Sequence, residues 1–81
     1  MTTYIVSYDV KSGTAEDYQK VNDAIRKFDS PKRLLESLWM IHSNSSASKV
    51  LSQIEMSMHP DDRLLVAEIN KNNQISNQYK S

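Results

Sequence analysis

Five stretches of this chain carry the alternation or the helical spacing of apolar residues that marks packed secondary structure. In residues 3–9, Tyr4, Val6 and Tyr8 alternate with Ile5, Ser7 and Asp9, and β-branched and aromatic residues dominate, which predicts a strand. Lys11-Ser12-Gly13 predicts a turn, at the sole glycine of the chain. From about residue 15 to residue 28 the period changes: Tyr18, Val21, Ala24, Ile25 and Phe28 fall on one helical face. Thr14 is the expected N-cap, Glu16 and Asp17 suit the positive end of the helix dipole, and Arg26 and Lys27 suit its negative end. Asp29-Ser30-Pro31 stops this helix, because the residue before a proline avoids the α region.

Residues 33–42 contain Leu34, Leu35, Leu38, Trp39, Met40 and Ile41, the most apolar run of the chain, and are expected to lie centrally in a sheet. Ten residues are long for one strand. A bend near Glu36-Ser37 would divide them into two, although no glycine or Asn-Gly marks a tight hairpin there. A second helix is expected over about residues 47–58, capped by a serine and closed by His59-Pro60, with Ala47, Val50, Leu51, Ile54 and Met58 as its apolar face. Residues 62–69 predict another strand. Residues 1–70 thus make one domain and 71–81 a polar C-terminal tail rich in Asn and Gln, in which Ile75 and Tyr79 alone could dock.

The order strand, helix, extended pair, helix, strand predicts an α+β protein of ferredoxin-like βαββαβ type, two helices on one face of a mostly antiparallel sheet. A chain of 81 residues buries a thin core, and self-association into a homodimer would thicken it. No cysteine is present to add disulfides, and ten basic residues cancel ten acidic ones. The zero net charge gives no general attraction to nucleic acid or to an anionic membrane, so binding of either would need a local patch. The first residues lack a basic segment followed by a long apolar run, which makes a cytoplasmic location the expectation, with no membrane partner.

Asp9 is the leading candidate for chemistry. It ends the first strand, and a carboxylate there could bind Mg²⁺, which needs only one or two protein carboxylates when phosphate supplies other ligands. Capping a turn, or pairing with Lys11, is the plainer use of such a residue. Glu36 and Glu68 interrupt apolar runs and are expected to face solvent or to pair with a base. His42 and His59 belong to no metal-binding spacing and read as a strand-end and a helix-end residue. Arg26, Lys27, Lys32 and Arg33 cluster around the end of the first helix and could hold phosphates, with Asp23 and Asp29 diluting their field. Trp39, flanked by Leu38 and Met40, reads as a core or interface residue before it reads as a base-stacking platform.

The strand Tyr4-Ile5-Val6-Ser7-Tyr8-Asp9-Val10, followed by Lys32-Arg33, by Glu36-Ser37-Leu38-Trp39 and by Asp61-Asp62-Arg63-Leu64-Leu65-Val66, resembles the small nuclease-like CRISPR-associated spacer-acquisition superfamily. The nearest comparison within it is with the SinR-like and VapD-like small proteins. The resemblance implies a ferredoxin-like homodimer associated with RNA or DNA, with Asp9 as the catalytic and metal-binding residue at the dimer axis, Mg²⁺ as cofactor, and Ser7 and Ser37 as supporting polar groups. It implies a Mg²⁺-dependent endoribonuclease; the alternative, favoured by the lone acid and the neutral charge, is a non-catalytic dimeric scaffold, regulator or phage/mobile-element defence-related protein that binds a nucleic acid or a protein partner.

Overall fold

The computed structural model describes residues 1–69 and the backbone of residues 75–80. Its elements run β1 (Thr2–Asp9), α1 (Ala15–Ile25), β2 (Asp29–Leu35), β3 (Leu38–Ser43), α2 (Ala47–Glu55), β4 (Arg63–Ile69) and β5 (Ile75–Lys80). The first six elements follow the βαββαβ order, and the sheet order β2-β3-β1-β4-β5 puts β1 at the centre. All four strand pairings are antiparallel. Neighbouring strands of a ferredoxin-like unit are related in this way. The fifth strand lies within the stretch whose composition reads as a polar tail.

Both helices begin where their caps dictate. Thr14 Oγ1 accepts from the Asp17 amide and Ser46 Oγ accepts from the Lys49 amide, each at 3.3 Å. Both end about three residues before the apolar spacing does, so Phe28 and Met58 pack on the core from the turns that follow. Arg26 is therefore the C-cap of α1, and Lys27 lies beyond it.

Alternation along the strands sorts the sheet into two faces. Tyr4, Val6, Tyr8, Trp39, Ile41, Leu64 and Val66 are buried against Val21 and Ile25 of α1 and Val50 and Ile54 of α2. The opposite face carries Thr3, Ile5, Ser7 and Asp9 of β1. Beside them lie Leu38, Met40 and His42 of β3 and Leu65, Ala67 and Ile69 of β4. No described helix covers this second face, and most of its apolar side chains stay half-buried.

The apolar run 33–42 does not lie centrally as a whole. It folds back at Glu36-Ser37, so β3 lies beside β1 while β2 forms an edge, leaving Leu34 40% and Leu35 66% exposed. The turn contains no positive-φ residue, which is why no glycine marks it. It is held instead by Arg33, whose Nε and Nη2 donate to the Glu36 carbonyl at 3.1 and 2.7 Å, and by the Tyr8 amide donating to the Ser37 carbonyl at 3.2 Å. Pro31 and two register irregularities break the β2 ladder, which blunts this edge against strand addition. Among the described residues no helix is long and apolar enough to cross a membrane.

Candidate functional site

Asp9 sits at the last position of β1 and is exposed. Its parity places it on the open sheet face with Ile5 and Ser7, and its register partner on β4 is Arg63. Ser7, Asp9, Arg63 and Leu65 line a shallow concavity of about 240 Å³. No ion pair joins Asp9 to Arg63 or to Lys11 among the described residues; Lys11 reaches Asp61 instead, at 3.8 Å. Arg63 is the residue that sequence reading missed here. Its signal was available only through strand register, because Asp9 and Arg63 lie far apart along the chain.

Ser7 and Asp9 therefore lie together. Ser37 lies at the same end of the sheet, in the β2–β3 turn, and contributes its main-chain carbonyl to Tyr8. One chain supplies a single carboxylate to this concavity, and no group of three or more metal-ligating side chains occurs among the described residues. That donor set suits Mg²⁺ only if a second carboxylate, phosphate oxygens or water complete the shell.

The loop after Asp9 is fastened by a residue that sequence reading left unassigned. Asp62 is 1% exposed, and its carboxylate accepts from the Lys11 amide at 3.0 Å and from the His59 amide at 2.9 Å. It ties the β1–α1 loop to the turn before β4, so the strand end bearing Asp9 has a fixed neighbour. Beside it, Asp17 accepts from Ser12 Oγ at 2.6 Å and lies 3.3 Å from His59 Nε2. The Ser12 bond first, then His59 and Thr14, hold the Asp17 carboxyl below the usual carboxylate range. His59 thus serves a loop contact. His42 is half-buried on the open face, where its Nδ1 has no hydrogen-bond partner among the described residues.

The four basic residues expected to act together are divided. Arg26 and Arg33 converge on Trp39, their guanidinium carbons 5.3 and 5.8 Å from the ring centroid. Lys32 is opposite Met40 in register and so belongs to the other sheet face. Lys27 lines a separate groove of about 450 Å³ with Phe28 and Met56, between the ends of the two helices. Trp39 is 3% exposed, so its ring is a core element that no base can stack upon. Its indole N–H donates to the Tyr8 hydroxyl at 3.3 Å, and that hydroxyl donates to Asn22 Oδ1. Burial pushes the Tyr8 hydroxyl above the usual phenol range, while the Trp39 bond and the nearby Arg33 partly offset it.

Glu68 is half-buried opposite Tyr4 and, after burial itself, adds to the upward shift of that phenol. Glu36 is exposed in the turn. No family model matches this chain, and no curated protein or solved structure matches it.

Proposed function

We propose that the chain works as a homodimer associated with nucleic acid, its two copies joined through the open sheet face so that their Asp9 residues meet near the two-fold axis. The observation that carries this reading is that Asp9 shares a face with Ile5, Leu38, Met40 and Leu65. A second copy on that face would complete the burial of apolar side chains that one small chain covers only in part. A two-fold operator pairs each surface with itself, so a strand end at its axis brings its own copy along.

In such a dimer the two Asp9 carboxylates would hold one Mg²⁺, which supplies charge neutralisation and an activated water for cleaving a phosphodiester. Ser7 offers a hydroxyl to that water or to a phosphate oxygen. The exposed Arg63 guanidinium, which lines the same concavity, would orient the phosphate, a planar fork being suited to two of its oxygens. This is the endoribonuclease version of the reading.

The second reading is a non-catalytic dimeric scaffold or regulator. The sparse site supports it: one carboxylate per chain, a cation facing it, and no histidine among the lining residues to act as general base. Assay of purified protein on RNA, with Mg²⁺ and with EDTA, beside Asp9→Asn separates the two. Cleavage that requires Mg²⁺ and falls by about a hundredfold or more in the variant supports the nuclease. Equal cleavage by the variant removes the mechanism. RNA binding without cleavage selects the scaffold.

A further inference from the structure

Two guanidinium groups held beside one buried indole are an unusual use of charge in a neutral protein. Arg26 reaches Trp39 from the end of α1 and Arg33 from β2, so two separate elements deliver cations to one place. Both arginines are exposed, while the ring beneath them is fixed by Tyr8 and Asn22. Arg33 spends Nε and Nη2 on the carbonyl of Glu36, a neutral acceptor, and no carboxylate pairs with it among the described residues. Arg26 has Asp23 at 3.5 Å, but the same carboxylate oxygen is held more closely by Gln19 Nε2 at 2.7 Å. The positive charge at this place is therefore only partly compensated. Its positions are preset by the cation–π contacts and by the turn, so an anion would meet donors that are already ordered.

We propose that Arg26 and Arg33, seated beside Trp39, form a binding site for the phosphate groups of a polynucleotide strand. This deepens the nucleic-acid reading, resting on it for the identity of the ligand, but requires neither metal nor catalysis. The site binds the backbone and leaves the bases unread, because the indole is covered. Its end of the sheet is also that of Asp9, since Arg33 holds the Glu36 carbonyl and the adjoining Ser37 carbonyl takes the Tyr8 amide. Arg33 and Trp39 nevertheless belong to the helix side of the sheet and Asp9 to the open face, so this site is separate from the acid.

Trp39 is the only tryptophan of the chain and reports directly on these two cations. The test is a fluorescence titration of the full chain with a short single-stranded RNA in EDTA, with inorganic phosphate as a second arm. The expected result is a saturable change in Trp39 emission whose affinity falls with salt with a log–log slope of about −1.4, the value for two phosphates on a single strand. Arg26→Gln and Arg33→Gln should each weaken binding by about tenfold and flatten the slope by about 0.7. Arg33→Lys, which keeps charge while losing the fork, should retain most of the slope, which separates charge loss from misfolding of the turn. An unchanged RNA affinity in the Arg26→Gln/Arg33→Gln double variant, folded by circular dichroism, overturns the proposal. A response to inorganic phosphate as strong as that to RNA assigns the site to a free anion and overturns the polynucleotide assignment. Because EDTA removes the metal, failure here leaves the Asp9 mechanism standing, and failed cleavage leaves this site standing.

Discussion

Replacing Tyr8 with Phe removes one oxygen and leaves the ring, so it opens almost no cavity and isolates the polar network. Tyr8, Asn22 and Trp39 are 5%, 6% and 3% exposed, which leaves water little access to the groups left behind. Asn22 Oδ1 loses its donor and the Trp39 indole N–H loses its acceptor. A buried polar group left without a partner costs about 1–3 kcal/mol, and the longer indole contact belongs at the low end, so the expected loss is roughly 3 kcal/mol. At about 0.05–0.15 kcal/mol per residue a domain of this size holds roughly 4–12 kcal/mol in all. The variant should therefore melt about 12–24 °C lower, at roughly 4–8 °C per kcal/mol. Thermal and urea unfolding followed by circular dichroism and by Trp39 emission measure it. Combining Tyr8→Phe with Asn22→Leu should cost less than the sum of the two, because the second change removes the stranded acceptor. A melting shift under about 4 °C, or strict additivity of the pair, would refute the reasoning.

Met40→Glu places a charge in the middle of the open face; it should weaken dimerisation by about a hundredfold or more while leaving the monomer's circular dichroism unchanged, as read by sedimentation equilibrium. Asp62→Ala removes the acceptor for the Lys11 and His59 amides and should cost about 2–4 kcal/mol in urea unfolding, with faster amide exchange at those two positions. Asp17 has a folded-state pKa below its ordinary value of 3.8, so the stability it contributes is complete above that pH and drains away as pH falls through the lowered value. Asp17→Asn should accordingly flatten the stability profile below about pH 4.

The elements were legible because their signals are local. Thr14 and Ser46 sit where caps belong, and the alternation of Tyr4, Val6 and Tyr8 is the alternation of the buried face. The β2–β3 turn was visible only as an interruption at Glu36-Ser37, since its stabilising groups are the Arg33 side chain and the Tyr8 amide rather than a glycine. Leu34 and Leu35 misled because hydrophobicity alone does not tell an edge from a centre. β5 was concealed by its polar composition; its backbone pairs with β4 whatever its hydropathy. At the candidate site, the juxtaposition of Asp9 with Arg63, and the convergence of Arg26 and Arg33 on Trp39 without the two lysines grouped with them, depend on register and on a helix end meeting an edge strand. Neither relation is written in local sequence. Asp62 was hidden for the same reason: its partners are amides, which every residue has.

The proposed dimer joins two copies through the uncovered sheet surface with their Asp9 positions adjacent. The chain lacks cysteine, so Asp9→Cys and Lys27→Cys each introduce a single thiol whose neighbours can be tested without background. Treated with a short bifunctional thiol reagent, the Asp9→Cys protein should convert rapidly to a covalent dimer, and the Lys27→Cys protein, whose thiol lies on the helix side, should stay monomeric on gels. Equal cross-linking of both, or none at position 9 at concentrations where sedimentation shows a dimer, would contradict it.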